Sequence, residues 1–202
     1  MNQVTDDVGA APRLASRNLG DTDGNPPGIG LLALLREDLL THGGSVFAPG
    51  FWAVGIHRLG NWRMGVRPKV LRGPLSLAYR MAYYLVTLVA GIELPYTIRL
   101  GRRVRIWHHG GIVLSAHAIG DGVQIRQNTT IGLASVDRPD EIPAIGDRVD
   151  IGSGACILGA VIVGDDSKIG ANAVVIGDIP AASTAVGVPA RVVRRKGPEA
   201  EI

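Results

Sequence analysis

Aromatic and sulfur side chains are scarce in this chain of 202 residues: Phe, Trp and Tyr together make up 4%, and Cys156 is the single cysteine. One cysteine cannot form an intrachain disulfide, and such usage suits a reducing compartment. Long apolar runs are missing too. The longest, Met81 to Ile92, is well short of the roughly 20 residues that cross a bilayer. Met1 to Arg17 contains acidic residues and no apolar core, so no signal peptide is expected. These absences predict a cytoplasmic chain without membrane contact. The net charge of +3 reads as a mildly basic surface. With neither interleaved aromatics nor a dense basic stripe, nucleic acid is not an expected partner.

What the chain has in excess is glycine, 28 residues, roughly double the usual share. Together with abundant aliphatics this suggests tight turns between short, well-packed strands. Residues 1–29 are polar and end in Asn25-Pro26-Pro27-Gly28, the composition of a disordered leader. Leu31 to Leu40 suits a helix that His42-Gly43-Gly44 stops. Phe51 to Met64 spaces Trp52, Ile56, Leu59 and Met64 as the apolar side of a second, amphipathic helix. After the interruptions at Pro68, Gly73 and Pro74, Leu75 to Ala90 makes a third. Residues 30–91 are therefore expected to form a short α-helical N-terminal domain.

Beyond Gly91 the rhythm changes. Aliphatic residues recur with a step of six in three runs: Leu100, Ile106, Ile112; Ile119, Ile125, Ile131; and Ile145, Ile151, Ile157, Val163, Ile169, Val175. Glycine directly follows most of them, as at Gly101, Gly120, Gly146 and Gly152, and a small or β-branched residue lies four places on, as at Val104, Val123, Val149 and Ala173. A six-residue period is the signature of a parallel β-helix. Three six-residue sides close one triangular coil, each aliphatic points inward onto its counterpart in the next coil, and glycine permits the turn. Two breaks interrupt the rhythm. Ile112 to Ile119 is seven, a one-residue bulge; Ile131 to Ile145 is fourteen, two repeats plus two residues, with a polar stretch from Ala134 to Glu141. That stretch is expected to leave the surface as a loop able to carry function.

Gly91-Ile92-Glu93-Leu94, then Ile106-Trp107-His108-His109-Gly110-Gly111-Ile112-Val113, then Gly187-Val188-Pro189-Ala190-Arg191-Val192-Val193 together resemble the serine O-acetyltransferase family, in particular its shorter members found near polysaccharide genes. Leu35-Arg36-Glu37-Asp38 and His57-Arg58-Leu59-Gly60-Asn61-Trp62 belong to the same likeness, which covers roughly residues 31–195. The resemblance implies a mainly β protein: a left-handed parallel β-helix of hexapeptide repeats over residues 92–180, behind the helical domain and before a C-terminal tail, 181–202. It also implies acetyl-CoA as co-substrate and an acceptor hydroxyl as substrate.

His108 occupies the third place of its repeat, which projects outward, and imidazole titrates near neutral pH. Read from the residues alone it is a base or an idle surface histidine, with His109 as rival; the resemblance implies the general base at His108. It likewise implies that Glu93 stabilises the imidazolium. Gln127 lies nineteen residues after His108, one coil plus the bulge, and is expected to sit over it as a substrate contact. The family's second active-site histidine falls here on Ile142 and the arginine beside it on Glu141, which weakens serine as the acceptor; Arg138 is the substitute from the same loop. Coenzyme contacts carry over to Ser153, Lys168 and Ala171, with Arg191 for a phosphate. No metal is expected, because the stacked histidines that a zinc site on this scaffold needs are missing.

The resemblance implies serine acetylation in a ternary complex, the first step of cysteine synthesis. A sugar hydroxyl is the alternative acceptor, and a scaffold with a decayed site the non-enzymatic alternative. It also implies a homotrimer, with a hexamer through the helical segment as a variant. The terminal Ile202 matches the anchor by which such enzymes enter the active site of O-acetylserine sulfhydrylase, the expected protein partner.

Overall fold

A computed structural model of the chain describes residues 21–195. The expectations for the leader up to residue 20 and for Ile202 fall outside the described residues.

Three helices precede the strands: α1 (Leu31–Thr41), α2 (Pro49–Trp62) and α3 (Arg72–Ala90). His42 ends α1, and Gly43 and Gly44 follow it with φ of 76° and 72°, a region that costs glycine nothing. Gly73 and Pro74, expected as interruptions, lie in the first turn of α3, where a missing N–H does no harm. The segment before α1 is tied down: Gly24 N–H donates to Asn61 Oδ1 (3.1 Å) and Asn25 Nδ2 to the Arg58 carbonyl (2.9 Å). From residue 24 onward the expected leader is thus fixed to α2.

The buried side of α2 is not the expected row of large apolar groups. Trp52, Leu59 and Trp62 remain 39–50% exposed, while Gly50, Ala53, Val54, Gly55, His57, Arg58, Gly60 and Asn61 are buried with Ile56. The cause is proximity. A Cβ on Gly50 would lie 2.5 Å from the Ile106 carbonyl oxygen, and one on Gly60 2.6 Å from the Tyr79 ring. Close approach of a helix to a neighbour selects small residues at the contact. Arg63 then locks the corner, its guanidinium 4.3 Å and 4.1 Å from the ring centroids of Tyr79 and Tyr96.

The β-region winds through five coils. The first runs through β1 (Ile92–Glu93), β2 (Arg99–Leu100) and β3 (Arg105–Ile106); the second through β4 (Ile112–Leu114), β5 (Ala118–Ile119) and β6 (Gln124–Ile125). The third uses β7 (Thr130–Gly132), β8 (Ala144–Ile145) and β9 (Asp150–Ile151); the fourth β10 (Cys156–Leu158), β11 (Ile162–Val163) and β12 (Lys168–Ile169). The last uses β13 (Val174–Val175) and β14 (Ser183–Val186), and β15 (Arg191–Arg195) folds back on β14. Strands stack in three sheets, in the orders β1-β4-β7-β10-β13, β2-β5-β8-β11 and β3-β6-β9-β12-β14-β15. Every pairing is parallel except β14 with β15. The stretch expected as a tail from residue 181 therefore includes two strands. Ala185 continues an inward row at 0% exposure, and the antiparallel β15 covers the last sheet edge.

The predicted inward rows are the core. Leu100, Ile119, Ile145 and Val163 stack in one sheet, and Ile106, Ile125, Ile151 and Ile169 in another, all at most 3% exposed. The polar members of the fourth-place row are satisfied locally: Thr129 donates to the Arg126 carbonyl and Ser167 to that of Pro180, each at 2.8 Å.

Register corrects two expectations. Ile125 to Ile151 is twenty-six residues where Ile151 to Ile169 is eighteen. The stretch between Ile131 and Ile145 is therefore one side of a coil with eight inserted residues, not two repeats plus two. The glycines after the aliphatics also serve a different purpose. Positive φ falls three places after the inward residue, at Arg103, Gly122, Asn128, Arg148, Gly154, Asp166 and Asn172, and not on Gly101, Gly120 or Gly146. Those glycines allow coils to touch: a Cβ on Gly101 would lie 2.5 Å from the Gly120 carbonyl carbon.

Candidate active site

The segment carrying His108 and His109 turns the corner between β3 and β4. It is clamped from above and below. Trp107 N–H donates to the Ile125 carbonyl (2.9 Å), Gly110 N–H to Ala90 (2.8 Å) and Ile112 N–H to Gly91 (2.9 Å), while Gly110 accepts from Asn128 N–H (3.0 Å). Gly111 has φ of 65°, and a Cβ there would meet Asn128 Oδ1 at 2.6 Å, so only glycine fits. Trp107 is held on both sides, its indole N–H donating to Gln124 Oε1 (2.7 Å) and its ring lying 3.5 Å below the Arg105 guanidinium. Between these fixed points both histidine side chains are exposed.

Register places four predicted residues in one column. The pairs Ile106–Ile125, Ile125–Ile151 and Ile151–Ile169, carried two residues onward, align His108, Gln127, Ser153 and Ala171 at the same corner of successive coils. Coils repeat at roughly 4.8 Å, so the column is long enough for an extended ligand along the edge. Gln127 Oε1 is buried without a hydrogen-bond partner, an acceptor in want of a donor. Lys168 is exposed on β12, in the same coil as Ala171, and Arg191 is exposed at the start of β15. Two cations above small side chains are a donor set that fits the phosphates and slender arm of a coenzyme.

Two predicted residues stand apart from the column. Glu93 lies on β1 in register with Val113 and is exposed; no hydrogen bond or ion pair joins it to His108. Its charge is felt by Tyr83, whose hydroxyl is pushed up first by burial and then by Glu93. Arg138 lies in the inserted loop at another corner, between β7 and β8, where it pairs with Glu141 at 2.8 Å. Ile142 is only 3% exposed, so the position of the family's second histidine is turned into the core. The His117 ring lies 3.2 Å from the Asp140 carbonyl and pins the loop's end.

The sequence reading left three polar residues without a role. Arg58 Nε donates to Asp38 Oδ2 at 3.0 Å, and its other nitrogens donate to the carbonyls of Leu100 (2.8 Å) and Gly101 (2.6 Å), with both side chains fully buried. Burial pushes the Asp38 carboxyl up, against the pull of Arg58. His42 Nε2 accepts from Ile106 N–H (3.2 Å), so Nδ1 carries the proton and donates to the Asp38 carbonyl (2.7 Å). Burial holds the ring below its ordinary range, and hence neutral. Asp38 and His42, four apart and thus on one helix side, steady the strand that ends two residues before His108. That spacing was the available signal.

No family model matches the chain. It is 38% identical over 151 residues to a serine acetyltransferase of Mycobacterium tuberculosis, which covers 74% of this chain and 63% of that protein. The corresponding enzyme of Staphylococcus epidermidis is 33% identical over 144 residues, covering 71% and 67%. Among solved structures, soybean serine acetyltransferase superposes with a TM-score of 0.67 at 32% identity, covering 81% of this chain and 69% of that one. The serine acetyltransferase of Brucella abortus in complex with coenzyme A gives 0.68 at 29%, covering 81% and 68%. The chain spans about three fifths of the length of the relatives from Mycobacterium tuberculosis and Synechococcus elongatus, 63% and 59%. On sequence identity and on a shared fold of hexapeptide coils behind helices, the chain belongs to the serine acetyltransferase family.

Proposed function

We propose that this chain is an acetyl-CoA-dependent O-acetyltransferase whose acceptor is the hydroxyl of L-serine. The observation that carries the proposal is the column His108–Gln127–Ser153–Ala171, with Lys168 and Arg191 near its upper end. A related soybean structure is complexed with serine, and one from Brucella abortus with coenzyme A.

In this reading the coenzyme lies along the column, with Ser153 and Ala171 leaving room for its arm and Lys168 and Arg191 meeting phosphate. His108 takes the proton of the acceptor hydroxyl as that oxygen forms a bond to the thioester carbonyl carbon. The carbon–sulfur bond then breaks, and the imidazolium returns the proton to the leaving thiolate. Glu93 supplies the negative charge that favours the imidazolium, and Gln127 Oε1 accepts from the substrate. Coenzyme sites along a β-helix side are completed by a neighbouring subunit, so a homotrimer on the cytoplasmic side of the cell is part of the proposal.

Burial of Ile142 and the pairing of Arg138 with Glu141 favour a second reading, in which the acceptor is a sugar hydroxyl. Both groups occupy positions where the family handles the amino acid's charges. Thiol release from acetyl-CoA separates the two. Turnover with L-serine supports the first, and turnover only with sugar nucleotides the second. Absence of thiol release with either acceptor removes both.

A further inference from the structure

The first coil of the β-helix has no coil beneath it. On β3, the end strand of its sheet, Ile106 turns its backbone to the helical domain instead. His42, which ends α1, places Nε2 at 3.2 Å from the Ile106 nitrogen and accepts its N–H. Helix α2 closes over both groups: a Cβ on Gly50 would lie 2.5 Å from the Ile106 carbonyl oxygen and 3.0 Å from His42 Nε2. His42 is 5% exposed, so water has little access to replace a lost hydrogen bond.

The neutral ring alone fits this place. Nδ1 donates to the Asp38 carbonyl at 2.7 Å, which leaves Nε2 with the lone pair that Ile106 N–H requires. A second proton would set a donor against a donor. The charges around the ring oppose one another. From α1 the Asp38 carboxylate favours the charged form, although Arg58 of α2 engages it at 3.0 Å; from β3 Arg105 disfavours that form. Otherwise α2 presents Gly50 and the Phe51 ring, whose centroid is 6.5 Å from that of His42. Burial is the largest influence and holds His42 below its ordinary range.

Ile106 lies two residues before His108, and the intervening Trp107 N–H donates upward to the Ile125 carbonyl. The backbone that leads to the base is thus gripped from below at Ile106 and from above at Trp107. We propose that neutral His42 is a positioning residue for His108, and that protonation of His42 releases Ile106 and displaces the base. The proposal rests on the reading of His108 as the base. The reaction then depends on two neutral histidines, one to accept the substrate proton and one to hold the strand. The His42 contact is complete above about pH 6.5, the ordinary histidine value, and weakens as pH falls toward the lower value of the buried ring.

Hydrogen exchange at the Ile106 amide of the full chain, taken as protection over the intrinsic chemical rate, tests the contact without substrate. In the parent, protection should fall by up to about tenfold per unit below about pH 6.5. In His42→Gln it should not, because the side-chain amide oxygen can accept from Ile106 N–H and does not titrate. The His57 ring is common to both chains and cancels in the comparison. The pH profile of kcat at saturating acetyl-CoA tests the consequence. The acid limb of the parent should steepen from a slope of about one toward about two, while that of His42→Gln stays near one. His42→Leu, which cannot accept the hydrogen bond, should lower kcat by about tenfold or more and leave KM for acetyl-CoA unchanged, since Ser153 and Ala171 stand further along the column. Equal protection of Ile106 at about pH 8 and about pH 5 in the parent, or the same pH dependence in the parent and His42→Gln, overturns the proposal. A parent without turnover would overturn the reading of His108 and with it the positioning role, while exchange still reports whether His42 holds Ile106.

Discussion

His108 and Glu93 are both exposed and no hydrogen bond joins them, so in the proposed mechanism bound substrate would orient their side chains. What the fold holds rigid is the backbone under His108, through Trp107, Gly110 and the His42 link to Ile106. A base on a fixed backbone position contributes by proton transfer more than by binding. Replacing His108 with alanine should therefore lower kcat by at least about 10²-fold while coenzyme affinity, measured by calorimetry, stays nearly unchanged. His109 instead lines the apolar groove between α2 and α3, with Phe47, Trp52 and Leu59, and His109→Ala should be mild. The reverse pattern would move the base by one residue. The position of Gln127 over His108 was legible in the sequence because each follows an inward aliphatic by two residues. That Ile142 is buried was not legible there, since adjacency to a proline says nothing about which way a side chain turns.

At the scale of elements, the joint between α2 and the first coils is polar, buried and tightly satisfied. His57 is its titratable indicator. The ring is fully enclosed with Nε2 at 3.0 Å from the Ile98 carbonyl, and burial lowers its pKa to about 3, with the Arg58 charge adding to the shift. The unfolded chain takes up a proton near pH 6.5 that the folded chain refuses. Stability from this group is complete above that pH and declines as pH falls toward 3, by about 1.4 kcal/mol per unit. Urea midpoints should fall between about pH 6 and pH 4, and His57→Gln, which keeps a donor for Ile98 but does not titrate, should flatten that slope. An unchanged slope in the variant would mean that the His57 site is open to water. Arg58 shows why the joint escaped a reading of the sequence. It pairs with Asp38 twenty residues away and caps the carbonyls of Leu100 and Gly101 more than forty away, and no local periodicity reports such separations.

For the whole molecule, the column lies on an outer edge of the β-helix, with the inserted loop at a neighbouring corner. One chain thus offers an open edge and a projecting loop, and a three-fold arrangement would bring the loop of one subunit to the edge of the next. Light scattering at micromolar concentration should give a mass about three times 21.2 kDa. A mass near 21.2 kDa would leave the site without its second wall and sink the trimer, and a doubled trimer would point to contact through the helices.

The inward rows, the coil, the corner on which His108 stands and the three helices are legible in the order of residues alone. All of these follow from hydrophobic rhythm and helix stop signals that act within a few residues. Which side of α2 is buried follows only from packing, because the limiting quantity there is the distance to Ile106 and Tyr79. Packing likewise makes the repeat glycines points of contact between coils, sends eight residues off one side as a loop, and turns an apolar stripe of α3 outward. Each of these depends on how close two remote segments come, and a chain read in order carries the composition of a contact without its partner.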